Sequence, residues 1–388
     1  MARALSDAPY SDPARVSRNV LVSTLRERHA SLRARRSRMS ARSSTPLMRW
    51  ALVGASDVCA RRMLPALRAV GQDVRVIYSS DLERARLFAR AHALDVGTSD
   101  LHRALDAGVD AVYISSRNDR HRADVLAAAE AGKHVLCEKP LATTMADAVA
   151  MAEACDARGV VLATDHHLRG SETLREMARQ VASGAIGTNL SARIQNAIEL
   201  TERLRTWRLR QPGAGGGVIF DLAVHDIDAL RFILGRELRQ VTALSVTQRL
   251  GGAEVEDAVV SAQIWDGDVV VAAHEAYTVP ATHTVIEVHG SEGSILALDA
   301  LRPDSPGQLS ISDHGGQRRL DVPQHAGKYE QVVRDFCEAV ATGGRPAATG
   351  RDGAMSLLGA LALRESAAVG SRVSIDVPAV LRTRQALT

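Results

Sequence analysis

Residues 49–70 read RWALVGASDVCARRMLPALRAV, and this stretch decides the fold. A short apolar run ends at Gly54, and apolar residues then recur at helical spacing as far as Val70. A strand that turns sharply into a helix can hold the pyrophosphate of a dinucleotide at the helix N-terminus. Of the three glycines usual in such a turn only the first is present, because Ser56 and Cys59 stand at the other two places. The stretch predicts a nucleotide-binding strand–turn–helix unit.

Strands and helices alternate beyond this unit. Strands are predicted at 74–78, 111–115 and 135–137, and helices at 82–91 and 123–131. This alternation predicts an α/β fold with an N-terminal doubly wound parallel (Rossmann) sheet.

After about residue 170 the pattern changes to longer strand-like segments. These are 191–197, 241–248, 258–265, 269–277 and 285–289, with turn signals at 266–267 and 292–293. They predict a C-terminal α+β domain with a large, mostly antiparallel open sheet. Helices at 329–341 and 354–369 and a strand at 373–377 complete the chain.

The charged residues are unevenly distributed. The formal net charge is +3, yet residues 1–47 hold ten arginines against Asp7, Asp12 and Glu27. This stretch has no sustained apolar face, so we expect a disordered, arginine-rich extension. The remaining chain is mildly acidic and offers no basic face to nucleic acid.

Composition narrows the class of protein further. The chain has 388 residues, of which 46% are hydrophobic and 24% charged, enough for two packed domains. No run approaches the roughly 18 apolar residues of a membrane span. The four cysteines lie far apart without CxxC spacing, which argues against structural zinc or disulfides and favours a reducing cytoplasm. We expect an NAD(P)-binding Rossmann domain at 48–170 and a substrate and oligomerisation domain at 171–388, whose last helices could pack back on the first domain.

The end of the second predicted strand bears on the choice of cofactor. An NAD site usually places a carboxylate there to bind the ribose hydroxyls, but this chain has Ser79. Ser79 and Ser80 can donate hydroxyl hydrogen bonds, and Arg84 offers a guanidinium suited to a 2′-phosphate. NADP is therefore favoured, with NAD as the alternative.

Two longer motifs carry a family resemblance. Residues 132–142 read GKHVLCEKPLA and residues 215–228 read GGGVIFDLAVHDID. Together they resemble the glucose–fructose oxidoreductase / inositol dehydrogenase (Gfo/Idh/MocA) family. The resemblance implies a two-domain oxidoreductase in which Lys139, Asp221 and His225 are catalytic, and a homo-oligomer formed through the open sheet. It also implies a sugar-like or polyol substrate, with 1,5-anhydro-D-fructose as one candidate.

The residue types fit such chemistry. Lys139 follows a buried strand at the edge where doubly wound sheets bind ligands, and can polarise a substrate oxygen; a surface ion pair with Glu138 is the alternative. Asp221 and His225 are four residues apart on a predicted helix, so we expect the carboxylate to orient the imidazole. A histidine near its ordinary pKa could then exchange the proton of the substrate oxygen.

The remaining candidates surround this centre. The residues expected to bind the cofactor are Gly54, Ser56, Asp57, Val58, Ser79, Ser80, Arg84, Ser115, Asn118, His121, Glu138, Lys139 and Arg208. Those expected to bind the substrate are His167, Arg169 and Trp207. No metal is expected, since no spaced carboxylate or cysteine completes a shell with His166 and His167. Two other functions stay open: an NAD-dependent glycosidase-type enzyme of the same family, and a noncatalytic nucleotide-binding sensor.

Overall fold

The computed structural model describes residues 45–252 and 254–382. The predicted extension at 1–47 therefore lies almost entirely outside the described residues. None of the described helices is both long and apolar enough to cross a membrane.

Six parallel strands form the first sheet, here named the nucleotide sheet. They are β1 (Arg49–Val53), β2 (Asp73–Tyr78), β3 (Val96–Thr98), β4 (Ala111–Ile114), β5 (His134–Cys137) and β6 (Leu162–Thr164). Their order is β3-β2-β1-β4-β5-β6, which is the doubly wound arrangement. The predicted parallel sheet is confirmed. Its order reverses between β1 and β4, so the turns after these two strands open a crevice at the carboxyl edge.

Helices connect these strands. They are α1 (Leu64–Ala69), which continues a π-helical turn at Cys59–Met63, α2 (Leu82–Ala91), α3 (Leu101–Leu105), α4 (His121–Glu130) and α5 (Met145–Ala157). Their starts are fixed by local chemistry: the Asp81 carboxylate accepts the amide N–H groups of Glu83 and Arg84 at the start of α2, and Thr144 caps α5 in the same way.

Nine strands form the second sheet. They are β7 (Asn189–Ala197), β8 (Leu238–Val246), β9 (Ala258–Trp265), β10 (Val269–Ala276), β11 (Val285–Gly290), β12 (Gly293–Leu298), β13 (Gln308–Asp313), β14 (Gly316–Leu320) and β15 (Val373–Ser374). The order is β14-β13-β12-β11-β7-β10-β9-β8-β15. Every pairing is antiparallel except that of β7 with β10, so the predicted, mostly antiparallel sheet is confirmed. The sequence pattern did not indicate β12 to β14, which extend one edge.

The remaining helices cover the sheets. They are α6 (Glu172–Ala182), α7 (Val224–Leu234), α8 (Lys328–Thr342), α9 (Gly350–Val369) and α10 (Ala379–Arg382). Helix α8 packs on the nucleotide sheet, where the ring of Phe336 lies 5.2 Å from that of Trp50 and both are fully buried. Such aromatic burial fixes the helix to the sheet through the hydrophobic effect. Helix α8 thereby carries Tyr329, near its N-terminus, to the edge of the crevice.

Candidate active site

The turn after β1 is held by its own side chains. Gly54 has a φ of +108°, and a Cβ there would lie 2.6 Å from the Ser116 amide nitrogen, so only glycine fits. The Ser56 hydroxyl donates to Ser115 Oγ at 2.8 Å and accepts the Cys59 amide at 3.1 Å. Ser115 Oγ in turn donates to the Gly54 carbonyl at 3.0 Å. Ser56 thus replaces a glycine by capping the helical turn, and the amides of Asp57 and Val58 lie at its start.

A cavity of about 440 Å³ opens beside this turn. Its lining includes Ala55, Asp81 and Arg84. The Arg84 side chain is exposed, and its guanidinium makes no hydrogen bond or ion pair with any described residue. Ser80 is exposed, whereas Ser79 is 5% exposed and its hydroxyl accepts the Asp81 amide at 3.4 Å. The space and the unpaired guanidinium fit the adenosine end of a dinucleotide.

Lys139 joins the nucleotide sheet to the π-helical turn at Ile219–Ala223. It follows β5, and its Nζ donates to Asp221 Oδ1 at 2.6 Å and to the Asp221 carbonyl at 2.7 Å. Asp221 Oδ2 accepts the hydroxyl of Tyr277 at 2.8 Å and lies 3.9 Å from Nε of Arg208. Burial by itself would raise the pKa of the Asp221 carboxyl, but the charges of Lys139 and Arg208 hold that pKa below its usual range. The carboxylate therefore stays ionised.

The expected pairing of Asp221 with His225 is wrong. No hydrogen bond joins them in the part of the chain that the structure describes, and His225 Nδ1 is buried without a partner there. Both carboxylate oxygens of Asp221 are already used by Lys139 and Tyr277. An ammonium group at 2.6 Å is a stronger partner than a neutral imidazole.

The expectation that His225 titrates near its ordinary value is also wrong. Its side chain is 7% exposed. Burial, followed by the charge of Lys139, lowers the pKa of His225 well below its ordinary value. The ring lies edge-on to those of His166 and His167, with centroids 5.8 Å and 4.7 Å away. At neutral pH the imidazole is therefore uncharged and can accept a proton.

Comparison with known proteins identifies the family. The model described as "Oxidoreductase family, NAD-binding Rossmann fold" matches residues 48–166, and the GFO/IDH/MocA C-terminal domain matches residues 174–296. The chain belongs to the GFO/IDH/MocA family of oxidoreductases. It is 38% identical over 329 residues to 1,5-anhydro-D-fructose reductase of Ensifer adhaerens, an alignment that covers 84% of this chain and 98% of the relative.

Solved structures with the same architecture superpose on this chain. Aldose–aldose oxidoreductase from Caulobacter crescentus, complexed with glycerol, superposes with a TM-score of 0.78 at 25% identity and covers 84% of this chain and 99% of that chain. Levoglucosan dehydrogenase in complex with NADH and levoglucosan gives 0.77 at 25% identity, covering 85% of this chain and 100% of that chain. The protein is thus an NAD(P)-dependent oxidoreductase by family.

Two residues that the sequence suggested as ligand-binding residues, Arg169 and His121, are occupied by contacts within the protein. The Arg169 guanidinium donates to both carboxylate oxygens of Asp228 at 2.8 and 2.7 Å and is 7% exposed, which corrects the expectation that Arg169 meets the substrate. His121 is fully buried, and its ring nitrogens lie 3.0 Å and 3.1 Å from the carbonyl oxygens of Pro140 and Ser116. It supports the backbone beside Lys139 and presents no surface to a cofactor.

Four other candidates make contacts with neighbouring side chains or backbone. The His167 ring stacks on Tyr329 at 4.8 Å, and its Nε2 has no partner among the described residues. The Arg208 guanidinium lies 4.9 Å above the Trp207 ring. Asn118 Nδ2 donates to the Gly215 carbonyl at 3.2 Å. The ring of His167 also lies edge-on to that of His225, with centroids 4.7 Å apart.

Sequence reasoning missed a buried carboxyl pair behind Lys139. Glu138 accepts the Tyr113 hydroxyl at 2.6 Å, and Asp165 lies close enough for the two carboxyl groups to affect each other's pKa, although neither carboxyl oxygen of Asp165 has a hydrogen-bond partner among the described residues. Asp165 is fully buried, and burial followed by the charge of Glu138 raises its pKa well above the ordinary value. Both residues directly follow adjacent parallel strands, which was the one signal available in the sequence. The pair leaves Glu138 less free for a cofactor ribose than expected.

A second buried pair lies between α7 and the second sheet. Asp226 Oδ1 accepts from Asn196 Nδ2 at 2.9 Å, whereas Asp226 Oδ2 and Glu275 Oε2 are buried without a hydrogen-bond partner among the described residues. Burial raises the pKa of Asp226 to about 7. Within the described ranges no three histidine, cysteine or acidic side chains come together as a metal site.

Proposed function

We propose that this protein is an NADP-dependent oxidoreductase that transfers a hydride between the nicotinamide and a sugar-like or polyol substrate. The observation that carries the proposal is the contact between Lys139 and Asp221 beside an uncharged His225, at the carboxyl edge of the nucleotide sheet. Doubly wound sheets bind their ligands at this position.

The cofactor would be held along the carboxyl edge of the nucleotide sheet. The helix start at Asp57 and Val58 suits a pyrophosphate, and Arg84 suits a 2′-phosphate because its charge is unpaired within the described residues. When bound, the nicotinamide supplies the hydride donor or acceptor. NAD is the alternative, since levoglucosan dehydrogenase binds NADH.

The proton is handled by two side chains. In alcohol oxidation the neutral His225 accepts the hydroxyl proton, because its lowered pKa keeps the ring uncharged at neutral pH. In carbonyl reduction the same proton moves in the opposite direction: His225, protonated from solvent before the hydride transfer, donates it to the oxygen, while the Lys139 ammonium stabilises the negative charge that develops there. Asp221 holds that ammonium in place, and Tyr277 fixes the carboxylate from the opposite side.

Substrate screening tests the proposal. Purified protein is assayed with keto-sugars and polyols and with each nicotinamide, starting with 1,5-anhydro-D-fructose because the reductase of Ensifer adhaerens is 38% identical. We expect turnover with NADPH. A retained nicotinamide with glycoside cleavage and no net cofactor turnover would favour the glycosidase-type function, and nucleotide binding without any turnover would favour a sensor.

We also propose a homo-oligomer formed through the second sheet. On its outer face Leu244 is 67% exposed and Val260, its direct cross-strand partner, is 46% exposed. Exposed apolar patches of this kind often mark protein interfaces. Light scattering on the native protein and on the Leu244→Glu variant tests this: the native mass should be a multiple of 41.5 kDa, and the variant should be smaller.

A further inference from the structure

The connection from β7 to the π-helical turn at Ile219–Ala223 lies along the nucleotide sheet. We name residues 198–217 the bridging segment. It contains three short 3₁₀ turns, Glu202–Leu204, Trp207–Leu209 and Pro212–Ala214. Backbone hydrogen bonds join its start at Ile198 and Leu200 to the end of β10, and side-chain contacts join the rest to the nucleotide sheet.

Three contacts join the bridging segment to the nucleotide sheet. The Arg203 guanidinium forms an ion pair with Asp57, in the turn after β1. Arg117 Nη1 donates to Gln211 Oε1 at 3.1 Å, and Asn118 Nδ2 donates to the Gly215 carbonyl, both beyond β4. The segment therefore spans the turns after β1 and β4, between which a doubly wound sheet binds a dinucleotide.

The ion pair of Arg203 with Asp57 is of a kind in which a bound anion can replace the carboxylate. Asp57 lies at the helix start expected to hold the pyrophosphate, and it also pairs with Arg61 at 2.9 Å. The side chains of Arg203 and Asp57 are 40% and 39% exposed, and ion pairs this accessible are weak. A pyrophosphate carries more charge than a carboxylate and accepts a guanidinium in bidentate geometry. The guanidinium of Arg203 therefore already lies beside the turn at which the pyrophosphate is expected.

We propose that Arg203 binds the pyrophosphate of the nicotinamide cofactor, exchanging Asp57 for the phosphate oxygens and closing the bridging segment over the cofactor. This assignment rests on the proposed function. It gives the second half of the chain a direct part in cofactor binding, 146 residues from the turn that receives the pyrophosphate.

Cofactor binding measured without turnover tests the assignment. NADPH fluorescence gives the Kd, and stopped-flow displacement gives the release rate, for the native protein and for Arg203→Gln, Asp57→Asn and Arg210→Gln. Arg210 is the matched control, since it lies exposed on the same segment and its guanidinium makes no hydrogen bond or ion pair with any described residue. We expect Arg203→Gln to raise Kd about ten- to a hundredfold, as for loss of a charged hydrogen bond. Arg203→Lys should restore part of the affinity.

The direction in which Asp57→Asn changes the Kd for NADPH separates pyrophosphate binding by Arg203 from a purely structural contact with Asp57. If Arg203 binds the pyrophosphate, Asp57→Asn lowers Kd about threefold or more, because it removes a competing and repelling carboxylate. Weaker binding in both variants, with no further loss in the double variant, would mean that Arg203 only latches the segment and would overturn the assignment. Equal effects of Arg203→Gln and Arg210→Gln would overturn it too. Failure of the native protein to bind either nicotinamide would instead refute the proposed function, and the assignment with it.

Discussion

Arg84 offers the sharpest test of cofactor choice. Its guanidinium borders the cavity beside the nucleotide turn and is unpaired among the residues described. The Arg84→Gln variant keeps most of the side-chain length and removes the charge. Arg86→Gln is the matched control, because Arg86 is exposed on the same helix and does not line the cavity.

The size of the effect follows from Coulomb's law. A phosphate group of this kind carries about −1.5 to −2 charges at neutral pH. One unit charge at 4 Å from another is worth about 4 kcal/mol at an effective dielectric constant of 20. Salt and solvent screen the exposed Arg84, and the carboxylates of Asp81 and Glu83 border the same cavity. We therefore expect a loss of about 1.5 to 2 kcal/mol, or roughly 10- to 30-fold.

The assay is kcat/KM for NADPH and for NADH at saturating sugar substrate. Arg84→Gln should lower the NADPH value by that factor and leave the NADH value nearly unchanged, since NADH has no 2′-phosphate. Arg86→Gln should change neither. An unchanged NADPH to NADH ratio in Arg84→Gln, or an equal change in Arg86→Gln, would refute the reasoning.

Four further predictions concern the nucleotide site, the proton and the buried charges. Ser79→Asp should move the NADPH to NADH ratio of kcat/KM by about ten- to a hundredfold toward NADH, because its carboxylate repels a 2′-phosphate; no movement would mean that Ser79 is not at the ribose. His225→Ala should lower kcat about a hundredfold or more with little change in NADPH Kd, and near-normal turnover would exclude it as the proton carrier. Burial lowers the pKa of His166 to about 4, so between pH 6.5 and 4 this histidine binds a proton in the unfolded protein but not in the folded one. The stability of the protein to urea should therefore fall as the pH drops from 6.5 toward 4, and a flat profile would contradict this. Arg169→Gln should destabilise the fold by about 3 to 5 kcal/mol, because it leaves the fully buried Asp228 without its main partner, while kcat per folded molecule persists; a selective loss of substrate binding would restore Arg169 to the substrate site.

Local sequence was enough to predict the nucleotide sheet and to select the candidate catalytic residues. The run that ends at Gly54 and the helical spacing after it are properties of neighbouring residues, and they predicted β1 and the turn correctly. Lys139 could be selected because it directly follows a buried strand, and the end of a strand is visible in the sequence. The strands β12 to β14 were missed, since their stability comes from pairing with one another rather than from a strong local pattern.

The partners of the reacting residues were decided by the tertiary structure alone. Asp221 and His225 are four residues apart, yet the carboxylate binds Lys139, 82 residues away, because charge and distance outweigh proximity in the chain. Burial, which depends on the whole fold, lowers the pKa of His225 and raises that of Asp165. Neither environment can be read from the residues beside it. The sequence by itself determined which side chains are candidates for the chemistry. Their charge, their partners and their availability to a substrate were determined by the packing of the folded chain. The reason is that desolvation and Coulomb interactions act through space and not along the chain.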